Sequence, residues 1–203
     1  MSLTDYQLRS LGKRMKFEIA SISFKDDLPS KFEYNKAYII NLEDEYDENG
    51  NPNMGSHWTC FQINKYPNNK VDGIYFDSYG VDMAEDVRKY IKRHTKIEKL
   101  AHTTKNVQSL MNNACGWYVC AFLHFINSSQ YRSKHLYNDV ESFLDVFDDL
   151  NTSIDFKKNE YILKHFFQSE DIEKRTPVEI DTIVEQDKTR PDLMKIPVNV
   201  NVI

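Results

Sequence analysis

The stretch NNACGWYVCAFLHFIN, Asn112 to Asn127, decides how this chain is read. It passes from polar asparagines into a long apolar run, with Cys115-Gly116 at the junction. Trp117, Tyr118, Ala121, Phe122, Phe125 and Ile126 leave little polar surface, so the segment predicts a central, buried helix. A helix N-terminus supplies about half a positive charge and unpaired backbone N–H groups. A thiol held there meets the field that a thiolate nucleophile needs. The plain alternative is a small buried residue, which free cysteine often is. Taken alone, the stretch favours that alternative. Catalysis requires a base, a group to orient the base and an oxyanion donor elsewhere in the chain.

The base has to be a histidine that the fold can position. His94 lies in the basic run RKYIKRHTK, which reads as the solvated face of a helix and exposes it. His124 lies more than two turns down the Cys115 helix, too far to reach the thiol. His102 is the rival. His57 opens an apparent hairpin, HWTCFQINK and KVDGIYFDSYG around YPNN. Folding about Pro67 pairs residues whose numbers sum to about 134, which sets His57 opposite Asp77, with Cβ atoms ~5 Å apart. A slip of one residue would put the two on opposite faces. Asp77 would fix the imidazole tautomer and stabilise the imidazolium. Asp72 and Asp82 are the alternates if the register differs, and turn chemistry is the plain reading of Asp77-Ser78-Tyr79-Gly80. Gln108 is the candidate oxyanion donor, beside the backbone N–H of Cys115. Gly116 would let a substrate backbone approach closely.

The remaining sequence bounds the answer. The 203 residues suit one domain with an arm; 40% are hydrophobic and 28% charged, and the net charge of -5 argues against a strongly basic nucleic-acid binder. No apolar run is long enough to span a bilayer, and the polar N-terminus is no signal peptide. Three cysteines without a CxxC pair predict free thiols and no zinc site, with Cys60 and Cys120 as core residues. No metal or other cofactor is expected. Thr4 and Gln7 have capping-box spacing at the head of a short helix. Phe17–Phe24 and Ala37–Leu42 read as strands, Asp82–His94 as an amphipathic helix, and Asn138 as the cap of another. The class is α+β. Residues 1–168 form the domain; 169–203 are a charged tail ending in the strand-like IPVNVNVI, expected to add to an edge of this or a neighbouring domain, where it would cover the cleft before activation. A disordered end is the plain alternative.

His57-Trp58, Asp77, Gln108 and Cys115-Gly116, in that order and spacing, resemble the adenovirus-protease and ubiquitin-like-protein protease group of cysteine peptidases. FKDDLP, GSHW and YFDSYG are similar to elements of the smaller capsid-maturation proteases of virophages and polinton-type elements. The resemblance covers about residues 1–168. It implies a papain-like core with His before Cys in chain order, and a nucleophile helix packed on an antiparallel sheet. It implies an endopeptidase that cleaves viral capsid or other structural proteins after Gly or another small residue, held in a slot walled by Trp58. The site of action would be the virion and the host cytoplasm during assembly. Activation by a peptide or nucleic acid, known in the adenovirus branch, sits poorly with an acidic chain. No membrane partner is implied.

Three other readings stand beside this one. The same chemistry serves removal of ubiquitin-like modifiers. A caspase-type site resembles NACG, but Trp58 stands where that family has Gly. A catalytically silent module that binds capsid protein is the non-enzymatic reading.

Overall fold

Apolar residues on both faces of three successive segments build the centre of the molecule. The computed structural model describes residues 3–97, 100–109, 112–128, 136–148, 156–169 and 200–202. In it β2 (Ala37–Asn41), β3 (Trp58–Lys65) and β4 (Val71–Phe76) lie side by side, almost wholly buried. Ile39, Cys60, Ile74 and Phe76 face one layer of helices; Tyr38, Ile40, Phe61, Ile63 and Tyr75 face the other side. This two-sided apolar pattern is what a strand covered on both faces requires.

β1 (Ile19–Phe24) flanks β2, and β5 (Leu100–Thr103) and β6 (Val200–Val202) continue beyond β4, in the order β1-β2-β3-β4-β5-β6. The sheet is mixed, where the expectation was an antiparallel sheet. β2–β3, β3–β4 and β5–β6 are antiparallel, but β1–β2 and β4–β5 are parallel. The physical reason at β4–β5 is the crossover through α2 (Glu85–His94), which returns the chain in the same direction. Met83, Val87, Tyr90 and Ile91 seal α2's side of the sheet, as its amphipathic spacing implied.

The opposite face carries α1 (Asp5–Met15), α3 (Cys115–Asn127), α4 (Leu136–Leu144) and α5 (Phe156–Ser169). Thr4 and Gln7 form the expected capping box: the Gln7 N–H donates to Thr4 Oγ1 at 3.3 Å, and the Thr4 N–H to Gln7 Oε1 at 2.9 Å. Lys16 ends α1 in the left-handed region (φ 60°), so the chain is still turning at Phe17 and β1 starts only at Ile19. Asn138 lies inside α4 rather than capping it.

The apolar α3 is the axis of this layer. Phe122 stacks on Phe76 with centroids 4.3 Å apart and meets Phe143 edge-on at 5.4 Å. Phe122→Ala is expected to cost ~3–5 kcal/mol, read as a lower urea midpoint at unchanged m-value. A smaller loss would mean that the layer collapses around the void.

The hairpin register differs from the expectation by two residues. Cys60 pairs with Phe76 and Lys65 with Val71, so paired numbers sum to 136. Asn69 adopts φ 61°, and the Asn69 N–H closes onto the Tyr66 carbonyl at 2.9 Å. The tip is therefore a three-residue loop centred on Asn68, not a fold about Pro67. A shift of two residues keeps every side chain on its face.

Candidate active site

Three chain segments meet where β3 begins, β4 ends and α3 begins. His57 is delivered by the acidic loop that follows β2. The Asn41 side-chain oxygen accepts the N–H groups of Glu43 and Ser56, each at 3.1 Å, and pins both ends of that loop. The Leu42 N–H donates to the His57 carbonyl at 3.0 Å, which fixes the residue at the head of β3.

Asp77 follows β4 directly and is fully buried. Thr103 of β5 clamps its backbone: the Asp77 N–H donates to Thr103 Oγ1 at 3.0 Å, and that hydroxyl donates to the Asp77 carbonyl at 3.2 Å. Asp77 Oδ1 accepts the Tyr79 N–H at 2.6 Å and lies 3.2 Å from His57 Nε2. A carboxylate oxygen there fixes the tautomer, with the proton on Nε2. Nδ1 has no hydrogen-bond partner among the described residues, and the Cys115 thiol influences the ring. Catalytic hydrogen bonds commonly tighten only when substrate binds. Burial disfavours the charged ring, yet the hydrogen-bond interactions with Asp77 and Cys115 outweigh it and push His57 up to about 9.

Cys115 is the first residue of α3 and is buried. Ala114 precedes it with no side-chain cap, and its carbonyl accepts the N–H groups of Trp117 and Tyr118 at 2.9 and 3.1 Å. The amides of Cys115 and Gly116 are those an α-helix cannot satisfy from within.

Gln108 is buried on the segment between β5 and α3. Ser78 Oγ donates to Gln108 Oε1 at 2.6 Å, while Gln108 Nε2 donates to Tyr79 Oη at 3.2 Å and to the Asn112 carbonyl at 3.1 Å. Helices brace this segment. Tyr118 Oη and Asn159 Nδ2 donate to the Val107 carbonyl at 3.1 and 3.0 Å, and the Asn112 amide donates to Glu160.

Trp58 is half-buried, and its indole N–H donates to the Leu3 carbonyl at 2.8 Å. Gly116 meets the same residue: a Cβ built there would lie 3.1 Å from Leu3 Cβ. The missing side chain thus makes room for the N-terminal segment, a packing reason that stands beside the substrate-approach reading.

The other candidates lie elsewhere. Asp72 pairs with Tyr66 Oη at 3.1 Å and Lys70 at 3.4 Å, towards the hairpin tip. The rival His102 sits within β5 opposite Tyr75, its Nδ1 3.4 Å from Asp82. His94 is half-buried against Tyr90 and Phe32, not exposed as its basic run suggested. Cys60 and Cys120 are fully buried, and burial pushes both thiols up. Ser78, Tyr79, Thr103, Asn41 and Leu3 are the supporting residues that sequence reasoning missed. Only Ser78 and Tyr79 carried a signal, their adjacency to Asp77.

Against known proteins, the ElaD/SseL-like C-terminal model matches residues 48–156, more than half of the chain, from within the loop that delivers His57 to the start of α5. No curated protein matches the sequence. Among solved structures, the chain is similar to the crystal structure of the selenomethionine ASFV pS273R protease. That match has 14% identity and a TM-score of 0.46, and covers 81% of this chain and 67% of that one. The fold is α+β, with His57 before Cys115 in chain order. This chain belongs to the ElaD/SseL-like C-terminal family, a cysteine protease family of deubiquitinase type.

Proposed function

We propose that the protein is a cysteine endopeptidase with Cys115 as nucleophile, His57 as acid and base, Asp77 as the orienting group and Gln108 as oxyanion donor. The observation that carries this reading is the set of three groups: a thiol at a helix N-terminus without a side-chain cap, an imidazole whose proton affinity that thiol helps to raise, and a buried carboxylate 3.2 Å from the ring's Nε2. An imidazolium next to a thiol favours the thiolate. Cys115 sulfur attacks the peptide carbonyl carbon and the carbonyl electrons move onto oxygen. The Cys115 N–H and the Gln108 amide, one of whose protons leaves its present acceptor, stabilise that oxyanion. The C–N bond then breaks as His57 gives its proton to the leaving amine, leaving a thioester. His57 next takes a proton from water as the water oxygen attacks the thioester. The C–S bond then breaks, which returns the Cys115 thiolate beside protonated His57, and the product acid gives its proton to solvent and leaves as a carboxylate.

The substrate in this reading is a viral capsid or other structural protein, cut after Gly or another small residue that passes Trp58, within the virion and the host cytoplasm during assembly. The likeness of FKDDLP, GSHW and YFDSYG to virophage and polinton-type proteases supports it, as does that of the Cys115 segment to the adenovirus-type signature. A second reading, release of ubiquitin-like modifiers, is favoured by the family match. A disulfide-linked activating peptide has little support, because all three cysteines are buried.

Candidate capsid proteins and a fusion bearing a ubiquitin-like module with a Gly-Gly terminus separate the readings. Mass spectrometry of the termini formed by wild type, but not by Cys115→Ala, is the measurement. New termini after Gly in capsid protein are the expected result. Cleavage confined to the fusion moves the assignment to the second reading, and identical termini from both enzymes sink the protease reading altogether.

A further inference from the structure

The turn after β4 does more than supply Asp77. The Gly80 N–H closes onto the Asp77 carbonyl at 3.0 Å, and the Ser78 carbonyl accepts the N–H groups of Val107 and Gln108 at 2.8 and 3.1 Å. Gly80 has φ 68°, and a Cβ there would stand 2.4 Å from the Thr104 carbonyl oxygen. Only glycine lets the turn lie flush on the segment that carries Gln108. Tyr79 is thereby held between the two halves of the site.

Three contacts converge on this one residue. Its N–H donates to the same Asp77 oxygen that faces His57. Its ring stacks on the His57 imidazole, with centroids 4.4 Å apart and planes at 20°. Its hydroxyl accepts a hydrogen bond from Gln108 Nε2 at 3.2 Å. Burial, with Cys115 and Asp77 nearby, pushes the phenol up, so the oxygen facing Gln108 belongs to a neutral hydroxyl.

We propose that Tyr79 is a positioning residue: its ring holds the plane of the His57 imidazole, and its hydroxyl aims the Gln108 amide at the oxyanion. Ser78 secures the other end of the same amide, so Gln108 Oε1 is turned away and Nε2 presented. This inference rests on the thiol-protease reading and adds to it a role for a residue read in the sequence only as part of the turn motif after Asp77. Tyr79 acts on the oxyanion only through Gln108, which gives its role a signature that simple packing lacks.

The test is a double-mutant cycle on the full chain with a peptide substrate bearing Gly before the scissile bond. Tyr79→Phe keeps the ring, the turn and the stack, and removes only the hydroxyl. It is expected to lower kcat ~10-fold with KM unchanged, as loss of alignment in the transition state does. Gln108→Ala is expected to lower kcat ~10²-fold, and adding Tyr79→Phe to it should cost nothing further. A Tyr79→Phe enzyme with wild-type kcat overturns the proposal, as does an equal loss in both backgrounds. Gln108→Ala with full activity removes the donor and the role of Tyr79 together. Activity surviving in Cys115→Ala strikes the protease reading itself. Loss there, with Gln108→Ala impaired and Tyr79→Phe at parity, strikes only Tyr79.

Discussion

Cys115→Ala is expected to lose peptide cleavage by at least ~10⁴-fold, because removal of a nucleophile leaves only binding and oxyanion stabilisation. The fold should survive. Only a sulfur is lost, and the surrounding helix is held by Trp117, Phe122 and their aromatic partners rather than by the thiol. Unfolding in urea should place the variant within ~1 kcal/mol of wild type. Alkylation offers an independent reading of the same residue. Iodoacetamide should label Cys115 in wild type well before Cys60 or Cys120, which are fully buried and whose thiols burial pushes up. Equal labelling of all three by peptide mass mapping would remove the claim that Cys115 is the activated thiol.

Asp77→Asn should lower kcat/KM by ~10²-fold or more, since an orienting carboxylate both selects the tautomer and stabilises the imidazolium. Its effect on pH dependence is the sharper test. His57 is opposed by burial but raised by Asp77 and Cys115 from 6.5 to about 9. A base whose proton affinity is higher in the folded state contributes stability that is fully present below pH 6.5 and lost as pH rises through about 9. Wild type should therefore lose activity along an alkaline limb near pH 9, and lose part of its urea resistance between 6.5 and 9. In Asp77→Asn the largest upward influence is gone while burial still disfavours the cation. The limb moves to lower pH and the stability slope flattens. An alkaline limb that stays in place would show that Asp77 does not hold the imidazolium.

The aspartate carries a lesson about register. Pairing through a sum of about 134 put His57 directly opposite Asp77. In the true register of 136 the pairing stops at Cys60 and Phe76, and His57 stacks instead on Tyr79. The His57–Asp77 contact survives because an even shift preserves the face, with Asp77 Oδ1, which also accepts the Tyr79 N–H, standing 3.2 Å from Nε2. A shift of one residue would have destroyed the same inference. The sequence signal therefore lay in side-chain alternation, whereas the partner at each rung depended on where the loop centre fell.

Local chemistry was enough for the elements themselves. Thr4 and Gln7 cap α1, the spacing of Met83, Val87, Tyr90 and Ile91 seats α2, and the all-round apolar character of α3 buries it at the centre. The family match to residues 48–156 spans His57, Asp77, Gln108 and Cys115 and assigns the chain to a cysteine protease group.

Contacts between distant segments were beyond reach. Leu3 is 55 residues from Trp58, yet its carbonyl holds the indole and its side chain fills the space at Gly116. Thr103 clamps Asp77 from 26 residues away, and Asn159 and Glu160 of α5 brace the Gln108 segment from across the layer. The parallel pairings at β1–β2 and β4–β5 are of the same kind. What the sequence determined by itself was periodicity, capping and the order of the reactive groups, since these depend on neighbours a few residues apart. Tertiary structure alone decided the sheet's mixed polarity, the hairpin's rungs and the second ring of residues around the site. Those depend on which surfaces meet when buried groups find their hydrogen-bond partners, and no local pattern encodes that choice.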